Sequence, residues 1–301
     1  MAGAVALGEC MVELSLTGPA SALISAAGDT FNTAVYLQRL GVPAAYGTAL
    51  GRGDPFSRGI LARMGDEGMS VDLVVQAEGR VPGLYAIQRD ADGERSFYYW
   101  RGEAPVREYF ELADLGRLEA AMRGAALIYV SAITLAVVGE AGRARLMPML
   151  QGAAKAGVAV AFDTNYRARL WPNAQAARPA IEAAIAVSRY LSASTQDVEA
   201  FGGGDAQALA AAWAAQGVEV VLRHEDRRVE VLSGASVERF AAPRAIPVVD
   251  TTGAGDAFNA GYLAARLQGR SVGEAVAAAR RLAAVVVQHP GAIIPRAAMP
   301  Q

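Results

Sequence analysis

A strand-to-helix turn near the C-terminal end is the segment best suited to chemistry. It reads Asp250-Thr-Thr-Gly-Ala-Gly-Asp-Ala-Phe258. Apolar Ile246–Val249 predicts a strand before it, and a helix is predicted over residues 256–268. Gly253 and Gly255 therefore lie in the turn, where the lack of a side chain lets the backbone approach a ligand. The free N–H groups and positive end of a helix favour a bound anion such as phosphate.

Asp256 is the titratable residue at the helix start, and its position admits two interpretations. A carboxylate in the first turn of a helix ordinarily stabilises the helix dipole. The same carboxylate beside an anion site can act as a general base that takes the proton of a substrate hydroxyl. The spacing alone leaves both interpretations open.

The common nucleotide-binding motifs are absent from the sequence. Lys155, the single lysine, follows Ala154, so the chain has neither the Gly-Lys pair of a P-loop nor the strand lysine of a protein kinase. A dinucleotide fingerprint would need a third glycine where Phe258 stands. Phosphoryl transfer by this chain would therefore rely on glycine amides, arginine and a metal ion.

Predicted strands and helices alternate along the part of the chain that must position this turn. Short apolar runs alternate with alanine-rich stretches, which predicts a mostly parallel sheet with helices on both faces. Asn173 and Asp205 are predicted helix N-caps, and Gly157 and Gly217 are predicted helix ends. The predicted elements are strands at 125–130, 158–162, 190–192 and 218–222 and a helix at 139–156.

A predicted β-hairpin rich in aromatic residues departs from this alternation of strands and helices. Leu84–Arg89 and Ser96–Arg101 are rich in β-forming residues, and Asp90–Glu94 has the composition of a hairpin turn. The hairpin belongs either to a small β lid, with further strands at Met11–Leu16 and Val71–Val75, or to an antiparallel edge of the main sheet. We favour a lid, with strands inserted from about 9–17 and 71–103 in a single domain spanning 1–301.

Composition excludes several classes of protein. Of the 301 residues, 53% are hydrophobic and 19% are charged, so the chain can bury a core rather than remain disordered. A net charge of −2 provides no field that would recruit nucleic acid or an anionic membrane. Cys10 is the only cysteine, which excludes an intrachain disulfide. No apolar run is long enough to span a bilayer, and we expect a cytoplasmic protein.

Two motifs in the sequence resemble the signatures of the ribokinase-like, PfkB-type carbohydrate kinases. The segment 250–261 is similar to their C-terminal signature, and Gly28-Asp-Thr-Phe-Asn-Thr-Ala-Val-Tyr-Leu-Gln-Arg-Leu-Gly41 is similar to the first one. The resemblance implies a three-layer α/β sandwich with a β lid, ATP as phosphoryl donor and Mg²⁺ as cofactor. It also implies that Asp256 is the base and that Gly253, Ala254 and Gly255 form the anion hole.

Further segments resemble the 2-keto-3-deoxygluconate kinases within that family. These are Tyr85 with Gly93-Glu-Arg-Ser-Phe-Tyr-Tyr-Trp-Arg101, Asp163-Thr-Asn-Tyr-Arg-Ala-Arg-Leu-Trp171 and the ending 287–296. The resemblance implies that the sugar acid is bound by Gly28, Asp29, Asn32, Tyr85, Tyr99, Arg101, Arg167 and Asp256. Arginine suits the carboxylate of such a substrate by charge and by fork geometry.

Several of these residues have a structural interpretation as well. Tyr99 and Arg101, two residues apart, would share one face of a strand and could form a surface pair. Arg167 could cap a helix or pair with Asp163. Asp29 and Asn32 could serve as caps of the helix that they open.

The nucleotide side of the sequence departs from the family pattern. An Asn-x-x-Glu motif that helps to organise Mg²⁺ is replaced by Ser194-Thr-Gln-Asp197, so Asp197 is the expected metal residue and Glu199 the second candidate. The stretch 222–229 lacks the usual glycines. The expected nucleotide contacts are Ser194, Arg223, Gly253, Gly255 and Gly291. A monovalent cation near Asp250, Thr252 and residues 287–293 is a further expectation.

The expected function is ATP-dependent phosphorylation of a sugar acid, with 2-keto-3-deoxygluconate converted to its 6-phosphate. The alternatives are a kinase for fructose, 5-keto-2-deoxygluconate or a nucleoside, and a sugar-acid-binding protein without turnover. No nucleic acid or membrane partner is expected. The exposed edge or face of a β lid favours self-association, so we expect a homo-oligomer, with a dimer through the lid.

Overall fold

The computed structural model describes residues 3–18, 20–89 and 95–300 and contains two β-sheets with helices around the larger one. The strands are β1 (Ala4–Leu7), β2 (Met11–Gly18), β3 (Ser21–Ala27), β4 (Ala44–Gly51), β5 (Val74–Ala77), β6 (Leu84–Arg89), β7 (Arg95–Trp100), β8 (Leu127–Ser131), β9 (Ala159–Asp163), β10 (Tyr190–Ser194), β11 (Glu219–Arg223), β12 (Val229–Ser233) and β13 (Ser236–Phe240).

Helices connect and flank these strands, with short 3₁₀ turns at Pro105–Glu108, Ala168–Leu170 and Arg296–Ala298. The α-helices are α1 (Asp29–Arg39), α2 (Pro55–Asp66), α3 (Tyr109–Leu112), α4 (Leu115–Gly124), α5 (Ala132–Val137), α6 (Gly139–Lys155), α7 (Ala174–Ala186), α8 (Thr195–Gly202), α9 (Ala206–Ala215), α10 (Ala254–Leu267) and α11 (Val272–Val286).

The main sheet is mostly parallel, as predicted. Across the described residues it has nine strands in the order β13-β12-β11-β10-β9-β8-β1-β4-β5. The pairs from β11 to β5 are parallel, while β12 and β13 add an antiparallel edge. The parallel strands therefore end along one common edge, where open α/β sheets bind their ligands.

Both faces of the main sheet are buried under helices. Alternate residues of β8 point to opposite sides, so that Leu127 and Tyr129 join one apolar core and Ile128 and Val130 join the other. The first core includes residues of α1, α10 and α11, and the second includes residues of α4, α6, α7 and α9. These cores confirm the predicted three-layer α/β arrangement.

The predicted caps and stops of the helices are confirmed. The Asn173 side chain accepts a hydrogen bond from the N–H of Ala176 at 2.8 Å, and Asp205 accepts one from Gln207 at 3.0 Å. Gly157 and Gly217 follow the ends of α6 and α9 with φ of 87° and 96°. Glycine takes up these left-handed conformations without the steric cost that a side chain would add.

The aromatic hairpin lies in the small sheet and not at an edge of the main sheet. That sheet has the order β3-β2-β6-β7 within the described residues, with β2 and β6 parallel and the other pairs antiparallel. The predicted strands at 11–16, 84–89 and 96–101 correspond to β2, β6 and β7. The predicted turn at 90–94 lies outside the described residues. Strand β3 was not predicted, because its Ser/Ala-rich sequence carries little β signal.

Two strand predictions need correction. Val71–Val75 was predicted as a lid strand, but β5 at Val74–Ala77 pairs with β4 in the main sheet. Ile246–Val249 was predicted as the strand before the glycine turn, but it belongs to a loop that pairs with no strand among the described residues. Val248 and Val249 are 54% and 53% exposed, so this apolar run lies on the surface instead of within a sheet.

The helix after the glycine turn begins earlier than predicted and packs closely on α11. Helix α10 spans Ala254–Leu267, so Asp256 is its third residue rather than its first. A Cβ added at Gly261 would lie 2.8 Å from the Cα of Ala279, inside van der Waals contact. This close crossing fixes the helix that carries Asp256.

Among the described residues, no helix combines the length and the apolar character that a bilayer span requires.

We predict that Gly261→Ala lowers the free energy of unfolding by about 1–3 kcal/mol, because the added methyl must push α10 away from the α11 backbone. Denaturant titration of the purified protein measures this change.

Gly59→Ala is the matched control, since Gly59 is an exposed residue inside α2 and an added Cβ there meets no atom within 4 Å. It should raise stability by roughly 0.5–1 kcal/mol through helix propensity alone. Equal effects of the two substitutions would show that the α10–α11 contact is not tight.

Candidate functional site

The carboxyl ends of the parallel strands and the lid enclose a cleft of about 570 Å³. Ser131, Asp163, Ser194 and Arg223 are the last residues of β8, β9, β10 and β11. The chain therefore directs polar side chains from four neighbouring strands toward one edge. The predicted site residues that line the cleft are Gly28, Asp29, Asn32, Tyr85, Tyr99, Arg101, Arg167, Ser194, Asp197, Arg223, Gly253, Gly255 and Asp256.

The glycine turn brings the N-terminus of α10 to this cleft. Gly253 is the N-cap and has φ of 73°, a left-handed conformation that suits glycine. A Cβ there would also lie 2.6 Å from the carbonyl oxygen of Ala292, and a Cβ at Gly255 would lie 2.9 Å from Nη1 of Arg223. The backbone contact makes glycine necessary at Gly253, whereas a side chain at Gly255 would displace the end of Arg223. The first N–H groups of a helix have no carbonyl behind them and can bind an anion.

Asp256 is held by a residue from the first glycine motif. Its Oδ2 accepts a hydrogen bond of 2.8 Å from Nδ2 of Asn32, and its backbone carbonyl accepts one of 3.3 Å from the Thr33 hydroxyl. Asn32 is 4% exposed. The interpretation of Asn32 as a helix cap is therefore incomplete, because its amide reaches across to α10 and orients the carboxylate.

The surroundings of Asp256 raise its pKa well above the ordinary value of an aspartate. The main cause is the loss of water around the carboxylate, and the negative charge of Asp29 acts in the same direction. The hydrogen bond from Asn32 opposes the shift. A carboxylate with a raised pKa is a stronger base than an ordinary aspartate.

Asp29 lies beside Asp256 within its own polar cluster. Its Oδ2 accepts hydrogen bonds from the hydroxyl of Ser131 and, at 3.0 Å, from Nδ2 of Asn165. These contacts come from the last residue of β8 and from the loop that follows β9, so α1 is tied to the sheet at this point. Asn165 and Ser131 were missed by sequence reasoning. Asn165 belongs to the quoted segment 163–171, which was the one signal that could have indicated it.

Gly28 is required where the chain passes Glu9. A Cβ at Gly28 would lie 2.1 Å from the carbonyl oxygen of Glu9, so no larger residue fits. The φ of Gly28 is 170°, an extended value that any residue can adopt. The need for glycine therefore comes from contact between the two segments and not from backbone strain.

Arg101 forms a buried ion pair with Glu9, so it is not an exposed surface residue. The side chains of Arg101 and Glu9 are 11% and 1% exposed. Burial raises the pKa of Glu9 to about 7, although the positive charge of Arg101 opposes the shift. Glu9 was not predicted as a site residue. Its ion pair with Arg101 joins distant parts of the sequence, and no local pattern indicates it.

Aromatic residues of the lid form a stack over the cleft. The rings of Tyr85 and Tyr99 are 5.5 Å apart and nearly parallel, and the Tyr85 hydroxyl donates to Glu13. The guanidinium carbon of Arg169 lies 3.8 Å from the centre of the Tyr99 ring. Arg169 was also missed, since no local pattern distinguishes it from the other arginines.

Arg167 faces Asp197 rather than Asp163. Its Nη1 lies 3.9 Å from Oδ1 of Asp197, and its side chain is 48% exposed. Oδ2 of Asp197 accepts a hydrogen bond of 3.0 Å from Thr164. The suggested pairing of Arg167 with Asp163 is therefore wrong. Nη1 of Arg167 also donates a hydrogen bond of 3.0 Å to the carbonyl oxygen of Tyr166.

Arg223 is the arginine that pairs with Asp163. Nη2 of Arg223 lies 3.3 Å from Oδ1 of Asp163, whose side chain is 3% exposed. Burial raises the pKa of Asp163 to about 6, and the charge of Arg223 lowers it. Oδ2 of Asp163 accepts a hydrogen bond of 2.9 Å from Nδ2 of Asn259 in α10.

Two predicted residues are placed differently from the rest. The N–H of Ala254 donates a hydrogen bond of 3.3 Å to the carbonyl oxygen of Thr251, so this N–H is not free to bind an anion. Gly291 lines a second cavity of about 640 Å³, which is also lined by residues of β2, β3 and α2, and its N–H donates to Oδ2 of Asp250 at 3.0 Å. Oδ1 of Asp250 accepts from Thr252, which brings together the residues suggested for a monovalent cation.

A divalent metal would need ligands beyond the protein. No group of three or more acidic, cysteine or histidine side chains that could hold a metal occurs in the part of the chain that the structure describes. Asp197 lines the cleft with a 15% exposed side chain, whereas Glu199 lies on the surface. Mg²⁺ commonly uses one or two carboxylates with phosphate oxygens and water, and Asp197 fits such a site.

The sequence is similar to those of known sugar-acid kinases over nearly its whole length. The chain is 39% identical over 304 residues to the 2-dehydro-3-deoxygluconokinase of Dickeya dadantii (strain 3937), covering 98% of this chain and 97% of that protein. It is 36% identical to the enzyme of the same name from Escherichia coli (strain K12), with the same coverage.

A solved structure with the same fold is fructokinase with bound ATP from Xylella fastidiosa. The TM-score is 0.84 at 21% identity, with coverage of 100% of this chain and 96% of the other. This similarity confirms the predicted ribokinase-like fold.

Residues 1–299, which include both glycine motifs and every residue of the cleft, match the pfkB family carbohydrate kinases. The chain therefore belongs to the pfkB family of carbohydrate kinases and is a kinase.

Proposed function

We propose that this kinase transfers the terminal phosphoryl group of ATP to the 6-hydroxyl of 2-keto-3-deoxygluconate. The observation that carries the proposal is the position of Asp256, which lies at the N-terminus of α10 in a cleft that also holds four arginines. The names of the relatives at 39% and 36% identity support this sugar acid, and the ATP complex of the fructokinase supports the donor.

The sugar acid would lie between the lid and the strand ends. Arg101 and Arg167 would bind its carboxylate, because both line the cleft and a guanidinium fork matches a carboxylate. The stacked rings of Tyr85 and Tyr99 would cover its carbon chain. Gly28 would let the backbone approach the sugar, next to the Glu9 carbonyl that it already contacts.

Asp29 and Asn32 would complete the sugar site at the reacting end. Asn32 holds the Asp256 carboxylate through one amide hydrogen bond, which leaves the second carboxylate oxygen for the substrate hydroxyl. Asp29 is fixed by Ser131 and Asn165 and can accept hydrogen bonds from sugar hydroxyls.

The chemistry is a direct transfer between two oxygens. The sugar hydroxyl oxygen forms a bond to the terminal phosphorus, the bond from that phosphorus to the bridging oxygen breaks, and ADP leaves. The hydroxyl proton passes to Asp256. The N–H groups of Gly253 and Gly255 and the positive end of α10 would stabilise the charge on the transferring group.

The nucleotide would approach from the strand ends opposite the lid. Ser194 and Arg223, which end β10 and β11, would contact its phosphates. Asp197 would hold Mg²⁺, which supplies charge neutralisation on the phosphates when bound. The altered stretch 222–229 would contribute through Arg223 in place of glycine amides.

We also propose that two copies associate through the lid. Leu23, Ile24 and Trp100 are 67%, 64% and 63% exposed, and β3 and β7 are the edge strands of the small sheet. Exposed apolar residues on edge strands favour pairing with a second copy.

We predict that Asp256→Asn lowers kcat by roughly 10²–10⁴-fold, because the amide keeps the shape of the side chain but cannot accept the proton. A coupled assay of ADP release with 2-keto-3-deoxygluconate measures the loss. Turnover close to that of the parent protein would remove Asp256 from the role of base.

We predict that kcat/KM falls as the pH drops through a value above the ordinary range of an aspartate, since the pKa of Asp256 is raised and only its ionised form accepts a proton. Burial and the charges of Asp29 and Asp163 raise this pKa, while Asn32 and Arg223 lower it. Asp29→Asn should therefore move the acidic limb to lower pH. The measurement is the pH profile of kcat/KM for both proteins.

Glu9→Gln serves as the control for this profile, because burial also raises the pKa of Glu9 to about 7. The acidic limb should persist in Glu9→Gln. A limb that vanishes in this variant, or one that Asp29→Asn leaves in place, would assign the titration to a group other than Asp256.

We predict that Arg167→Gln raises KM for the sugar acid roughly tenfold to a hundredfold, the range expected for the loss of one charge-assisted hydrogen bond. Arg167 suits this test because its side chain is 48% exposed and its contact with Asp197 is long, so the fold should be unaffected. KM for fructose, which has no carboxylate, should hardly change in the same assay. A similar rise for both sugars would contradict a carboxylate contact.

A further inference from the structure

Arg223 occupies a distinctive place among the arginines of the cleft. It ends β11, and its Nη1 lies against the first turn of α10, since a Cβ on Gly255 would come within 2.9 Å of it. Its guanidinium carbon lies 5.9 Å from the centre of the Phe258 ring. Its side chain is only 22% exposed. The charge therefore lies beside the N–H groups at which a phosphoryl group would bind.

The other arginines that line the described cleft lie beside other residues. Arg101 is paired with Glu9, Arg169 lies over Tyr99, and Arg167 is near Asp197. The single lysine, Lys155, ends α6 and does not line the cleft. A cation next to the glycine turn is thus supplied by Arg223.

A buried polar network fixes this arginine. Asp163 is its counter-ion, and Asp163 in turn accepts the hydrogen bond from Nδ2 of Asn259. The Oδ1 of Asn259 accepts a hydrogen bond of 2.6 Å from the hydroxyl of Ser192 in β10. Asn259 is 2% exposed and follows Asp256 by three residues in α10.

The network fixes the position of Arg223 relative to Asp256. Residues i and i+3 lie on the same side of a helix, so the helix that presents Asp256 also holds the counter-ion of Arg223. The separation between the base and the guanidinium is therefore set by buried contacts between β9, β10, β11 and α10. A buried arginine without such a counter-ion would be strongly unfavourable.

One hydrogen-bond donor of the Arg223 guanidinium has no acceptor among the described residues. This donor is Nε, which is buried. A buried donor that remains unpaired costs free energy until a ligand supplies an acceptor. Phosphate oxygens are suitable acceptors, because the guanidinium fork can bind two of them at once.

We propose that Arg223 is a catalytic residue that stabilises the negative charge on the transferring phosphoryl group, and that Asp163 and Asn259 are positioning residues that hold it there. The proposal rests on the proposed function. As the bond to the ADP oxygen breaks and the bond to the sugar oxygen forms, charge is spread over the outer oxygens of the transferring group. Arg223 would bind these oxygens from the side opposite the sugar's carboxylate.

The test compares turnover with binding. Arg223→Gln should lower kcat by roughly 10²–10³-fold, the range for loss of one donor to a developing charge, while KM for the sugar acid stays within a few fold. Arg223→Lys should recover part of the loss. Arg228→Gln is the matched control, since Arg228 lies five residues away, is 53% exposed and pairs with Asp226. It should behave as the parent protein.

Calorimetry supplies a readout independent of turnover. In the presence of Mg²⁺ and 2-keto-3-deoxygluconate, the parent protein should bind ADP with aluminium fluoride more tightly than ADP alone, because the fluoride complex mimics the transferring group. Arg223→Gln should lose that gain and keep its affinity for ADP. Asn259→Ala should reduce the gain while its unfolding transition remains cooperative.

The outcomes separate this inference from the proposed function. If Arg223→Gln keeps both its kcat and the gain from fluoride while Asp256→Asn loses turnover, Arg223 has no catalytic role and the proposed function stands. If the parent protein releases no ADP with any sugar acid, the proposed function fails first. An equal loss of affinity for ADP alone and for its fluoride complex would make Arg223 a nucleotide-binding residue only.

Discussion

The hydrogen bond between Asn32 and Asp256 is the contact on which the site depends. It joins two residues separated by 224 positions and links the first helix of the chain to the glycine turn of α10. Thr33 adds a second hydrogen bond, to the Asp256 carbonyl. Because α1 is also tied to the strand ends through Asp29, the carboxylate has a fixed place relative to the main sheet and the cleft.

Charge pairing is the second constraint, because the cleft concentrates acidic and basic groups where water is scarce. Glu9 and Asp163 are each buried, and each faces one arginine. Removing one partner of such a pair is costly, because the remaining charge is left without compensation. Asp256 differs from both in that its contact is a neutral amide, so its carboxylate stays available to a proton.

Much of the architecture could be predicted because it is encoded locally. Alternating apolar runs, the caps at Asn173 and Asp205 and the glycines at 157 and 217 predict the central strands β8 to β11 and the helices α6, α7 and α9, with small shifts at their ends. The composition of the hairpin likewise predicts β6 and β7. The glycine turn predicts the N-terminus of α10, although the helix begins at Ala254.

The failures of prediction concern long-range partners. Nothing local decides whether an apolar run finds a neighbouring strand. Ile246–Val249 was therefore wrongly predicted as a strand, and Val71–Val75 was predicted for the lid although β5 pairs with β4 in the main sheet. The pairing of Arg101 with Glu9 and of Arg223 with Asp163 likewise depends on how distant segments meet. Asn165 and Asn259 lie inside segments that resemble the family, but the contacts through which they act are made with distant residues and cannot be read from those segments.

The most direct test of the role of Asp256 is a crystal structure with 2-keto-3-deoxygluconate and a non-hydrolysable ATP analogue. The 6-hydroxyl oxygen should lie about 2.6–3.2 Å from a carboxylate oxygen of Asp256, in line with the terminal phosphorus and with the N–H groups of Gly253 and Gly255 facing the phosphate. A sugar whose 6-hydroxyl points away from Asp256, or a terminal phosphate bound away from the glycine turn, would contradict proton transfer to this residue.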